Sequence, residues 1–331
     1  MNTIGRIFRV SVLGESHGEC VGALLHGCPA GMKLAERDFT KDIARRKPGA
    51  KGTTSRRESD APKIMSGVLQ GRTTGAPLLI LFENEDADGS AYDNMKNLPR
   101  PGHADFVAMA KYGGYNDHRG GGHFSGRLTL PLVAAGVVAK KIARPAMIEA
   151  RLVEAGGKVR GEKALKCAME AGDSIGGLVE CRAKGLPVGL GEPFFDTVES
   201  VLSHALFAIP AVKGVEFGAG FGAARMLGSE CSDEYASADG KTLTNHAGGI
   251  HGGITNGNEL VLRIAVKPTS TIKKPRHTLD TRTGKPTIAA YSGRHDACIA
   301  LRVPVVVEAV TAIVLADLML INQERPRVAR S

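Results

Sequence analysis

Ile299-Ala-Leu-Arg-Val-Pro304-Val-Val-Val-Glu308-Ala-Val-Thr-Ala-Ile-Val-Leu-Ala-Asp317-Leu-Met-Leu-Ile321 decides the fold. Its apolar residues fall on every side of a helical wheel, and its proline stands where a first turn tolerates one. A helix that is greasy all round must be covered all round. Leu128-Thr-Leu-Pro131-Leu-Val-Ala-Ala-Gly-Val-Val-Ala-Lys-Lys-Ile142 has the same character. Both segments are therefore expected inside the protein, sandwiched between sheets. Arg302, Glu308 and Asp317 interrupt the longer run before it reaches the ~18 apolar residues of a membrane span, so a soluble protein with no membrane association is expected. The N-terminal MNTIGRIFRV carries no apolar export core and no A-x-A cleavage site, which points to the cytoplasm.

Around these two helices the chain reads as short strands at Phe8 to Leu13, Val21 to Leu25, Leu78 to Phe82, Gly177 to Cys181, Val215 to Gly218 and Leu260 to Val266. Amphipathic helical patterns occupy Ala35 to Arg46, Glu162 to Ala171 and Thr197 to Ala208. The two halves run in parallel. Gly27-Cys-Pro-Ala-Gly31 and a helix ending near Pro48 are echoed by Gly185-Leu-Pro-Val-Gly189 and a helix ending near Pro210. Ser66-Gly67-Val68 before the Leu78 strand answers Gly252-Gly253-Ile254 before the Leu260 strand, and Ser125-Gly-Arg127 and Ser292-Gly-Arg294 each lead into an apolar helix. A structural duplication is expected, with halves of roughly 1–145 and 146–331 interleaved in a single domain spanning 1–331.

With 331 residues, 43% hydrophobic and 23% charged, the chain can bury a sizeable core. Six cysteines without a C-x-x-C pair argue against zinc and disulfide frameworks, and no metal site is expected. Lys and Arg total 43 against 34 Asp and Glu, a net charge of +9, which favours an anionic partner. Nucleic acid is one such partner, but aromatics are only 5% with no Trp, so base stacking has little to rest on. A small polyanion fits as well. Gly218-Ala-Gly-Phe-Gly-Ala223 matches a loose dinucleotide pattern, which keeps an NAD(P)-linked oxidoreductase in view, but Gly228 cuts the following helix short.

Glycine, at 42 residues, is in excess and clusters with histidine, serine and arginine as in site loops. Gly14-Glu-Ser16-His17-Gly18 presents an imidazole after the first strand, suited either to proton transfer or to a plain backbone contact. Arg45-Arg46-Lys47-Pro-Gly-Ala-Lys51-Gly-Thr-Thr-Ser-Arg56-Arg57 reads equally as an anion site or a solvated helix end. Arg100-Pro-Gly-His103-Ala-Asp105 and Asp117-His-Arg-Gly-Gly-Gly-His123-Phe-Ser125-Gly-Arg127 surround bare backbone amides with cations, an anion cradle at a helix start.

Together these segments resemble the chorismate synthase family over nearly the whole chain. Gly14-Glu-Ser-His-Gly, Ser125-Gly-Arg-Leu-Thr129, and Arg294-His-Asp-Ala-Cys298 with Glu308-Ala-Val310 look like its three ordered signatures. The resemblance implies an α+β fold, a βααβ four-layer sandwich with apolar helices between antiparallel sheets, in a homotetramer. It implies elimination of phosphate from 5-enolpyruvylshikimate 3-phosphate to give chorismate, with reduced FMN and no net redox change. NADPH or a separate flavin reductase would supply the reduced cofactor.

By the same resemblance His17 serves the flavin, His103 the leaving phosphate, and Asp296 the proton removal. Ser16, Arg45, Arg46, Lys51, Arg56, Arg100 and Arg127 fall to the substrate. His123, Phe124, Ser125, Pro210, Ala211, Gly252, Lys267, Pro268, Thr269, Ser270, Thr271 and Arg294 fall to FMN. Two departures stand out: many relatives read R-S-S-A-R where this chain has His123-Phe-Ser-Gly-Arg127, and Lys51-Gly52 replaces a second arginine expected after Pro48-Gly49. Lysine supplies the charge there without the guanidinium fork.

Overall fold

A computed structural model describes residues 2–54, 58–86, 96–159, 161–291 and 295–324. The strands form in short apolar runs, as in Leu78–Glu83, where Leu78, Ile80 and Phe82 are wholly buried and the equally apolar Leu79 and Leu81 on the other face are half-buried. One antiparallel sheet holds β1 (Thr3–Ile4), β2 (Arg9–Gly14), β3 (Cys20–His26), β4 (Lys63–Ile64) and β5 (Leu78–Glu83) in the order β1-β2-β3-β5-β4. A second holds β6 (Met147–Ala155), β7 (Gly177–Lys184), β8 (Val212–Phe217) and β9 (Leu260–Val266) in the order β8-β9-β7-β6.

The two sheets share one connection pattern. Starting from β2 the first runs β2-β3-β5-β4, and starting from β6 the second runs β6-β7-β9-β8. Between the second and third strands of each set lies a helix, α1 (Thr40–Arg46) in one and α3 (Val198–Leu206) in the other. A small hairpin precedes each last strand, Val68–Leu69 with Arg72–Thr73, and Ile250–His251 with Ile254–Thr255. Each set is followed by a buried helix, α2 (Thr129–Ile142) and α4 (Pro304–Glu324).

Helix α2 packs on the first sheet, α4 on the second, and the two pack on each other. At their closest approach a Cβ on Gly136 would come within 2.5 Å of the Ala309 Cα, so only glycine lets the backbones meet there. Both prolines lie in first turns, as their positions in the sequence require. Helix α4 is, by length and composition, apolar enough to cross a membrane, contrary to the expectation from its charges, but 78% of that window is buried within the protein. Its Glu308 and Asp317 are satisfied internally. Asp317 accepts the backbone N–H groups of Arg6, Ile7 and Phe8 at 2.8 to 2.9 Å, tying the first sheet's edge to the helix.

All six strands expected from the sequence are present. The expected helix at 35–46 is a 3-10 turn, Glu36–Phe39, leading into α1. Strand β6 was not expected: its Glu149, Arg151 and Glu154 interrupt the apolar signal because they lie on the sheet's outer face. After β8 the Gly218 loop leads only to a 3-10 turn, Gly220–Arg225, and a four-residue helix, Gly228–Cys231, with no βαβ unit. Ser292 to Arg294, which the sequence parallel pairs with Ser125 to Arg127, lies outside the described residues.

Candidate active site

A cleft of about 880 Å³ opens between loop 100–104, the glycine loop at 120–127, the end of α1, the 207–213 turn, segment 267–271 and the start of α4. That volume falls in the range of small-molecule sites. Of the residues singled out from sequence, Ser16, Arg46, Arg100, His103, His123, Phe124, Ser125, Arg127, Pro210, Ala211, Lys267 to Thr271 and Asp296 line it. The segments are far apart in the chain; the sheets and the buried helices bring them together.

Gly120, Gly121 and Gly122 all take left-handed conformations, with φ of 57°, 83° and 52°. Their bareness has a second use. A Cβ on Gly120 would overlap the His17 imidazole, and one on Gly121 would lie 2.9 Å from His103 Cε1 and 3.2 Å from Nε2. The two glycines thus seat the two histidines against one stretch of backbone. His17 is buried beside Gly120, which lines the cleft, so it stands just behind the lining.

Arg100 is clamped by Asp105, donating from Nε to Oδ2 and from Nη2 to Oδ1, both at 2.7 Å, and from Nη1 to Thr271 Oγ1 at 3.2 Å. Burial opposes ionisation of Asp105, but hydrogen bonds from Arg100 and His103 outweigh it and hold its carboxyl well below the usual carboxylate range. Arg127 donates from Nε to Asn84 at 3.0 Å and from Nη1 to Asp60. Arg46, 3% exposed, donates to Thr129 Oγ1 and to the carbonyls of Gly126 and Arg127. Burial, with Arg302 and Arg127 nearby and Asp60 only partly compensating, pushes Arg46 down to about 9. It remains a cation at neutral pH, and an incoming anion would relieve that crowding.

Asp296 faces the same space, its carboxylate accepting from Arg302 Nη1 at 3.2 and 3.3 Å and from the Thr54 backbone N–H at 2.9 Å. Lys267 bridges to Gly102 O and to Ser270 Oγ, locking segment 267–271 onto loop 100–103. Burial and the neighbouring Lys213 and Arg276 charges hold Lys267 below the usual lysine range. Ala211, with φ of 73°, adopts a left-handed conformation that a non-glycine residue rarely takes and accepts from Lys267 N at 2.9 Å. Phe207, Ile209, Ile299, Val303 and Val306 give the cleft an apolar wall.

The structure does not bring every expected residue here. Arg45 points the other way and forks onto Glu308 at 2.6 and 2.7 Å, beside Lys140. Lys51 is exposed and Gly252 is the exposed turn of hairpin 250–255, both apart from the lining. Arg56 and Arg294 lie outside the described residues. The sequence reading missed Arg302, Asp60, Glu58, Thr54 and Thr129, all of which line the cleft. Three of them carried a signal: Arg302 as a charge just before an apolar helix, Thr129 as the last residue of the Ser125-Gly-Arg-Leu-Thr129 block, and Thr54 within the basic segment that ends at Arg57. Among the described residues no group of three or more His, Cys, Asp or Glu could hold a metal ion.

The family model for chorismate synthase matches residues 8–320. The chain belongs to the chorismate synthase family. It is 59% identical to a chorismate synthase of Chitinophaga pinensis over 332 residues covering all of both chains, and 45% identical to one of Dehalococcoides mccartyi across 99% of each. It is also similar to a solved crystal structure of chorismate synthase, with a TM-score of 0.75 and 28% identity over 96% of this chain and 93% of that one. Membership makes it a lyase of the shikimate pathway and establishes the mixed α+β fold. Chorismate synthases act on a small-molecule substrate.

Proposed function

We propose that the chain catalyses 1,4-elimination of phosphate and a ring hydrogen from 5-enolpyruvylshikimate 3-phosphate to give chorismate, with reduced FMN bound beside the substrate. The observation that carries this reading is the convergence of His103, Asp296 and Ser16 with Arg46, Arg100, Arg127 and Lys267 on one cleft that also has an apolar wall. Substrate and cofactor together carry two phosphates and two carboxylates, and a site for them needs clustered guanidinium and ammonium donors. A flavin ring needs the apolar wall. The residues present fit both demands.

In this reading Arg46, Arg100 and Arg127 hold the substrate with Ser16, while Lys267 to Thr271, Pro210, Ala211, Ser125, His123 and Phe124 hold FMN. The chemistry that reduced FMN would supply in this position is transient electron donation to the elimination with no net redox change. His103 gives a proton to the departing phosphate, and Asp296 is the proton acceptor, oriented by Arg302 and the Thr54 N–H. His17 holds a proton behind Gly120. Closure of the cleft around these groups excludes water and strengthens each charge interaction.

The reading extends to the whole protein: a βααβ four-layer sandwich of two pseudo-twofold halves, assembled as a homotetramer in the cytoplasm. Reduced flavin comes from NADPH on the enzyme itself or from a separate reductase. Anaerobic assay with photoreduced FMN, with and without NADPH, tests the activity and distinguishes the two sources. Chorismate should form with many turnovers per flavin, and equal rates with oxidised FMN in air would refute the flavin requirement. Asp296→Asn should bind substrate but lose ~10²-fold or more in turnover; a near wild-type rate would remove Asp296 as proton acceptor.

A further inference from the structure

We propose that Asp105 is the positioning carboxylate of His103, fixing its imidazole with the proton on Nδ1 and presenting Nε2 to the departing phosphate. This rests on the reading of His103 as the acid toward that phosphate. His103 Nδ1 lies 2.5 Å from Asp105 Oδ1 and 3.0 Å from Arg100 Nη2. These two neighbours demand opposite things of one nitrogen. A bare Nδ1 could accept from Arg100, but its lone pair would then face a carboxylate oxygen at 2.5 Å. An Nδ1–H donates to that oxygen, and the Arg100 hydrogen already has Asp105 Oδ1 as acceptor at 2.7 Å. The second arrangement satisfies every group.

The rest of the local structure is built to keep this geometry. Asp105 is itself held by the Arg100 backbone N–H at 3.0 Å and Nε at 2.7 Å, so it cannot turn away. On the other edge of the ring Nε2 and Cε1 lie against bare Gly121, so no side chain there crowds Nε2, and His103 itself lines the cleft. The remaining groups around loop 100–105 are cationic or neutral: Arg100 itself, Lys267 and Ser270 across Gly102, and Thr271 on Arg100. Asp105 is thus the carboxylate that can support an imidazolium at His103. In the step itself the ring C–O bond breaks with its electron pair on oxygen, and the leaving phosphate takes the Nε2 proton. His103 is left neutral with Nδ1–H retained, then regains a proton from water.

The test needs no turnover to begin. In the unliganded chain labelled with ¹⁵N-histidine, with the resonance assigned by loss in His103→Gln, neutral His103 should show a protonated Nδ1 and a bare Nε2. Asp105→Asn keeps an oxygen for Arg100 but offers an amide N–H to Nδ1, so it should reverse the tautomer. Single-turnover phosphate release should then fall ~10²- to 10⁴-fold, the scale of a serine-protease triad whose aspartate is made asparagine, with a much smaller change in substrate Kd. A purely structural role for Asp105 would move Kd through Arg100 and leave the tautomer alone. A wild-type Nε2–H tautomer alongside an inactive His103→Gln overturns the pairing alone. Should His103→Gln turn over at the wild-type rate, the acid role of His103 falls, and with it the purpose of the pairing.

Discussion

Arg45→Ala should cost stability and leave substrate affinity unchanged, although Arg45 adjoins Arg46 in a basic segment that reads as an anion site. Arg45 gives Glu308 two charge-assisted hydrogen bonds, at 2.6 and 2.7 Å, and the Glu308 side chain is 4% exposed. Breaking a buried pair costs ~3–5 kcal/mol when the remaining charge is left alone. Glu308 is not left alone, because Lys140 Nζ lies 3.0 Å away and the Ala150 N–H donates at 2.9 Å. The Arg45 side chain is also 39% exposed, so solvent screens its share. These discounts bring the expected loss to about 2 kcal/mol, read in urea melts at pH 7.

The same pair predicts a pH signature. Burial opposes ionisation of Glu308, but Arg45, Lys140 and the Ala150 N–H outweigh it and hold the carboxyl below its ordinary value. A depressed folded value means the stabilisation is fully present above the unfolded carboxylate range and is lost as pH falls through the folded value. The stability gap between wild type and Arg45→Ala should therefore close on acidification. An unchanged melt together with a tenfold rise in KM would refute this account and return Arg45 to the substrate.

At the crossing of the two buried helices, Gly136→Ala should destabilise by about 1–3 kcal/mol despite the ~1 kcal/mol gain in helix propensity, and adding Ala309→Gly should recover part of the loss. Thermal melts of the two single variants and the pair decide it. Asp317→Ala strands three N–H groups, that of Phe8 buried and those of Arg6 and Ile7 partly so, and should cost about 2 kcal/mol or more, with Asp317→Asn falling between it and wild type; equal melts for all three would contradict the anchoring role. Gly120→Ala should reduce turnover ~10²-fold while far-UV circular dichroism stays the same, because a Cβ there displaces the His17 ring. A wild-type rate in that variant would show that the His17 position is not critical.

Much of this architecture is already implied by local pattern. Two segments apolar on all faces have to be covered on all faces, and short apolar runs such as Leu78 to Phe82 have to be buried as well, so helices packed against sheets follow from solvent exclusion. The glycine, histidine and arginine clusters likewise mark most of the cleft, because bare amides beside cations serve anions. What local pattern cannot carry is direction. Adjacent helical residues project about 100° apart, and that rotation alone sends Arg46 into the cleft and Arg45 onto Glu308. Arg302, Asp60 and Thr54 became site residues only through contacts across the fold, such as Arg302 with Asp296 and Asp60 with Arg127. Gly252 falls outside the site because its hairpin is hydrogen-bonded to residues 187–198, away from the cleft-lining segments. Composition and periodicity fix which groups must be buried or charged, whereas which charge faces which is settled by long-range packing that no single stretch of sequence encodes.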